Sequence, residues 1–103
     1  MDVNWETGIS FSSLTPFDSL VVHTVNSEYQ ISLLDTMGRV LVRGGGRCFV
    51  EPIEAIVYGL RPGSGRRAGW IGLGARLEFT FKNGLIRTSP VSLIKINSVP
   101  AFL

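Results

Sequence analysis

"LGARLEFTFKNG", residues 73–84, is the most regular stretch of this chain. Leu73, Ala75, Leu77, Phe79 and Phe81 alternate with Arg76, Glu78, Thr80 and Lys82. Successive side chains on a strand point to opposite faces, so a period of two marks a half-buried β-strand. Asn83-Gly84 follows, the pair favoured in a two-residue type I′ hairpin turn. "LIRTSPVSLIKI", residues 85–96, reads as the returning strand, interrupted at Ser89-Pro90. No stretch of the chain sustains a helical period, so this hairpin sets the fold class.

The same signals recur towards the N-terminus. In "EYQISLL" (28–34), Tyr29, Ile31 and Leu33 share one face and Glu28, Gln30 and Ser32 the other. "LVVHT" (20–24) before it is β-branched, and "RVLVR" (39–43) after it puts Val40 and Val42 on one side. Asn26-Ser27, "DTMG" (35–38) and "GGGR" (44–47) punctuate these strands, the last as a bulge or sharp bend. "CFVEPIEAIVYGL" (48–60) is broken by Pro52, which cannot donate to a ladder, so its strand is expected to start at Ile53. Residues 61–69 then read as a long loop. Residues 1–19 read as an N-terminal arm with a short strand near Ile9–Phe11 and a turn at Thr15–Asp18. The expectation is one all-β domain over 20–103, a small antiparallel barrel or sandwich of about six strands. A closed or nearly closed barrel is preferred, because closure limits free edges.

Composition bounds the function. At 103 residues and 45% hydrophobic content the chain is the size of one globular domain. One cysteine, Cys48, rules out an internal disulfide, and one histidine, His23, leaves too few ligands for a Cys-based zinc site. No cofactor or metal is expected. There is no charged stretch leading into an apolar run, and no uninterrupted apolar segment long enough to span a bilayer, so a soluble cytoplasmic protein without a membrane partner is expected. Net charge is +2, but unevenly spread: residues 1–38 carry −5 and residues 39–103 carry +7. The simplest account pairs the two halves across strands. The other is an anion-binding surface.

Candidates for chemistry are few. His23 has no nucleophile motif near it and reads as a polar strand residue. Cys48, between Arg47 and Phe49, reads as a small buried hydrophobe rather than an activated thiol. Glu51 and Glu54 straddle a proline and show no third partner. The glycines of 59–69 match neither the P-loop nor the dinucleotide fingerprint and open no helix. There remain Arg61, Arg66, Arg67 and Trp70 in "RPGSGRRAGW", a charged fork beside an aromatic face, as a candidate anion or nucleic-acid site.

The segments "HTVNSEYQISLLD", "GRVLVRGGGR", "GWIGLGARLEF" and "IRTSPVSLI", in that order, resemble a group of short bacterial proteins of uncharacterised function over about residues 20–96. The resemblance implies a bacterial source and assigns no catalytic residue. The functional expectation is a non-enzymatic binding or interaction module. A homo-oligomer would use the apolar ends "WETGISF" and "VPAFL", and the alternative is a small barrel that binds nucleic acid or anions through 61–70.

Overall fold

Tyr29, Ile31, Leu33, Val40, Val42, Leu77 and Phe79, the apolar faces defined by the period of two, are all buried together. The computed structural model describes residues 8–46, 49–61, 63 and 65–97. Its strands are β1 (Gly8–Ser10), β2 (Ser19–Thr24), β3 (Glu28–Leu33), β4 (Arg39–Gly44), β5 (Phe49–Arg61), β6 (Gly65–Ala68), β7 (Trp70–Gly72), β8 (Leu77–Phe81), β9 (Gly84–Arg87) and β10 (Val91–Asn97). All pairings are antiparallel. An eight-stranded sheet runs β10-β2-β3-β4-β5-β8-β9 with β6 also on β5, and β1 and β7 form a two-stranded sheet.

The expected barrel of about six strands is therefore corrected: the protein is all-β and sandwich-like, with more strands and no closed barrel. The terminal strands of the large sheet, β9 and β10, do not pair. They follow one another in sequence through Thr88–Pro90. That link stays bonded to the chain entering β8, with Thr88 N–H on Leu77 O (2.8 Å) and Val91 N–H on Ala75 O (2.8 Å). Pro90 brings no N–H of its own, and beyond it β10 crosses to β2.

The organising element is β5, 13 residues long. One edge pairs with β4 over 49–56 and then with β6 over 58–61, and the other edge carries β8. The handover falls at Val57, whose N–H donates to Gly38 O (2.9 Å) and whose carbonyl accepts from Gly69 N–H (3.0 Å). Gly38 and Gly69 both have positive φ (117° and 67°), and a Cβ on Gly38 would lie 2.9 Å from the Gly69 nitrogen. Only glycine lets two chain ends meet so closely on one strand.

Three local expectations change. Pro52 lies inside β5, not before it, because the register slips between Val42↔Ile53 and Gly44↔Phe49. A bulge is a place where a strand tolerates proline. Residues 61–69 are not one long loop: Arg61↔Gly65 to Tyr58↔Ala68 form a hairpin. The β8–β9 turn is Lys82-Asn83, with Phe81↔Gly84 in register and neither turn residue at positive φ, so it is not the type I′ turn at Asn83-Gly84. The aromatic core formed by β3, β5 and β8 sets the register instead. The Tyr29 and Phe79 ring centroids are 5.2 Å apart, and Phe49 meets Phe79 and Phe81 at 5.6 and 5.5 Å. A one-residue slip would turn Phe79 outwards, at a cost of about 2 kcal/mol for that side chain alone.

Within the expected arm, β1 pairs with β7, and Phe11, in a 3-10 turn at Phe11–Ser13, is fully buried. Its N–H donates to Gly69 O at 2.8 Å.

Candidate anion-binding face

The described side chains of Arg66, Arg67 and Trp70 take three different places, and the Arg61 side chain lies outside what the structure describes. Arg61 ends β5. Arg66 and Arg67 are neighbours on β6, so their side chains leave opposite faces of the strand. Arg67 is exposed. Trp70 is 3% exposed and fills the space where Gly8, Gly59 and Gly72 lack a Cβ, so its ring offers no free face for a base to stack on.

Arg66 instead joins a set that no short motif reveals. Cross-strand register lines up Ala68, Tyr58, Glu78 and Arg87 in one row over β6, β5, β8 and β9. Arg39, Ile56, Thr80 and Leu85 form the next row over β4, β5, β8 and β9. These positions share the outward face of the sheet. Glu78 sits at its centre and is 1% exposed, although the period of two assigns it to the solvent side. Arg66 Nη1 donates to its Oε2 (2.5 Å) and Arg87 Nε to its Oε1 (3.1 Å). The Arg66 guanidinium also stacks over Tyr58, 4.3 Å from the ring centroid. Arg76 Nη1 donates to Thr88 O (3.2 Å).

Burial pushes the Glu78 carboxyl up, but hydrogen bonds from Arg66 and Arg87, and then their charges, outweigh it and hold it below its ordinary 4.5. The same hydrogen bond and charge raise Arg66. Glu78 is therefore an anion at neutral pH, and one carboxylate is shared between two guanidiniums. A surplus of positive charge remains on this face.

Among the described residues no ion pair joins an acid of residues 1–38 to an arginine or lysine of residues 39–103. The described arginine ion pairs are Arg39–Glu54, Arg66–Glu78 and Arg87–Glu78, all within 39–103. Two acids of the first third, Asp18 and Asp35, serve local turns. Asp18 Oδ2 accepts from Thr15 N–H (3.0 Å), and Asp35 Oδ1 accepts from the N–H groups of Met37 (2.8 Å) and Arg39 (3.1 Å).

Other candidates lie apart. His23 Nε2 is 3.3 Å from its cross-strand partner Glu28. Glu51 is exposed, and Glu54 is bound to Arg39. Cys48 and Arg47 lie outside the described residues. Among the described residues no group of three or more His, Cys, Asp or Glu is placed to hold a metal ion, and no helix is long and apolar enough to cross a membrane.

Fold and site together define a small antiparallel all-β protein with a basic outward face. Comparison with protein-family models, with curated proteins and with solved structures finds no match.

Proposed function

We propose that this chain is a non-enzymatic binding module that takes a polyanion, single-stranded nucleic acid above all, on the outward face of β5, β6, β8 and β9. The observation that carries the reading is the convergence of Arg66 from β6 and Arg87 from β9 on the single carboxylate of Glu78, beside the half-buried ring of Tyr58, with the exposed Arg76 just before β8. Arginine forks suit phosphate oxygens, and an arginine stacked on an aromatic ring extends the flat surface a base can lie on. Fluorescence anisotropy with labelled oligouridylate over a salt series tests it. The expected result is affinity that falls linearly in log-log form, with a slope reduced by about 0.7 in Arg76→Ala as one phosphate contact is lost. An oligonucleotide that stays unbound at low salt overturns the reading.

Self-association is the second reading. Leu73, Leu93 and Ile96 are 38%, 44% and 53% exposed along an apolar seam of about 320 Å³ between β1 and β10. Light scattering over a concentration series tests it: a mass that doubles supports it, and a constant monomer mass overturns it.

A further inference from the structure

β10 is a terminal strand of the large sheet, and its register shows which of its main-chain groups are unpaired. In an antiparallel ladder, alternate residues of a strand bond to one neighbour or to the other. Thr24 N–H donates to Ser27 O (2.8 Å) and Leu33 N–H to Asp18 O (2.9 Å), so the even-numbered residues of 18–24 bond to β3. Ser19, Val21 and His23 therefore bond to β10, where they face Asn97, Lys95 and Leu93. Ile94 and Ile96 are left with N–H and C=O groups directed away from β2, and among the described residues no strand pairs with that edge.

The same strand sorts its side chains. Ile94 and Ile96 lie opposite Val22 and Leu20, both fully buried, so they share the core side of the sheet. They line the seam with Ile9 and Leu73, and Ile96 stays 53% exposed there. Lys95, opposite Val21, leaves from the other side; it is exposed, and among the described residues no carboxylate pairs with it. The edge thus presents an apolar, a cationic and an apolar position in turn. A second copy that paired Ile94 with Ile96 about a two-fold axis would set Lys95 directly against its own counterpart, a destabilising arrangement. Lysine on an edge strand is a known guard against such self-pairing.

We infer that the free edge of β10 takes up an extended segment of a partner protein by antiparallel strand addition, and that this segment reads apolar, acidic, apolar. The acidic residue lies opposite Lys95, and the two apolar residues lie opposite Ile94 and Ile96, over the seam. Main-chain hydrogen bonds supply the affinity of such a complex, and alternate side chains supply its selectivity. A carboxylate matches Lys95 where a second copy cannot. Neither polyanion capture nor self-association is needed for it.

The test is amide hydrogen exchange read by nitrogen-15 NMR, with the capped peptide threonine-valine-glutamate-valine-threonine as probe. In the free protein the Lys95 amide is expected to exchange slowly and the Ile94 and Ile96 amides fast, and saturating peptide should protect the latter two. Lysine in place of the central glutamate should weaken binding roughly fivefold, and Lys95→Glu should reverse the preference between the two peptides. N-methylation of both valine amides removes two main-chain donors and should weaken binding roughly thirtyfold, a loss that charge and apolar contact alone would not produce. Slow exchange of Ile94 and Ile96 in the free protein at every concentration would mean that the chain covers its own edge, and protection that grows with protein concentration alone would give the edge to a second copy; either overturns the proposal. So does a glutamate peptide that leaves both amides unprotected at roughly millimolar concentration, an unchanged affinity for the N-methylated peptide, or a preference that Lys95→Glu does not reverse.

Discussion

Glu78 and Arg87 face each other across the β8–β9 hairpin, in register, with Arg87 Nε 3.1 Å from Glu78 Oε1. The pair ties the last strand of the sheet to a carboxylate that water does not reach. Arg66 approaches the same carboxylate from β6, on the far side of β5. Two strands that do not pair with each other, β6 and β9, are thus pinned to one buried charge on β8.

Acid should loosen this arrangement. The folded-state pKa of Glu78 lies below its unfolded value, so the unfolded chain takes up the proton first as pH falls. The contribution is fully present above the unfolded value and is lost as pH drops through the folded one. Thermal midpoints measured from pH 7 downwards should fall below about pH 4.5. In Glu78→Gln that fall should be shallower, and its stability at pH 7 lower by about 2 kcal/mol, the worth of hydrogen bonds to a charged group. A Glu78→Gln profile parallel to the parent's would place the acid sensitivity elsewhere.

Either arginine alone can keep the carboxylate solvated, and losing both cannot be made good. Arg66→Ala and Arg87→Ala should each lower the melting temperature slightly, since both guanidiniums are largely exposed. The double variant should lose far more than the two single effects added, because it strands a buried charge. Part of that loss should return at acid pH, when Glu78 is protonated. Additive melting shifts would mean that water replaces the arginines.

The strands were legible where one face is buried and the other wet, as in Tyr29, Ile31 and Leu33 of β3. The cluster at Glu78 was not, because a turn read one residue late misplaces every partner on the returning strand. With Asn83-Gly84 as the turn, Lys82 would face Leu85 and Glu78 would face Ser89. With Lys82-Asn83, Glu78 faces Arg87. Arg66 was visible as a charge, but its partner lies two strands away, set by a β5 that runs through Pro52 and serves two strands on one edge. Trp70 looked available because it follows a glycine-rich stretch. Gly59 and Gly72, the residues that let the sheet bury it, carry no sign of that role in their own surroundings.

Gly59→Ala tests that burial. A Cβ at Gly59 would collide with the Trp70 ring and the Trp70 carbonyl, and backbone cannot move aside as a flexible side chain can. Destabilisation of about 2 kcal/mol is expected in urea, the middle of the range for overpacking. Trp70 is 3% exposed and the other tryptophan, Trp5, lies outside the described residues, so the ring is best followed by near-ultraviolet circular dichroism. An unchanged midpoint would show that the Trp70 ring is free to shift.

Phe17 offers the opposite prospect, a substitution that stabilises. It is the described non-glycine residue at positive φ (71°), in the turn Thr15–Asp18, where Asp18 N–H donates to Thr15 O (3.1 Å) and Phe17 N–H to Leu33 O (2.8 Å). Those two bonds hold a phenylalanine in left-handed backbone that costs an L-residue about 1–2 kcal/mol. Its ring returns little, being 64% exposed. Glycine removes the strain but makes the unfolded chain freer, which takes back about 0.5–1 kcal/mol. The balance for Phe17→Gly is a gain of roughly 0.5–1 kcal/mol in urea unfolding, and Phe17→Asn should gain a similar amount, since asparagine tolerates this conformation. If both variants are less stable than the parent, the Phe17 ring packs more usefully in solution than its exposure suggests. If only glycine gains, the asparagine side chain finds no local hydrogen bond in the turn.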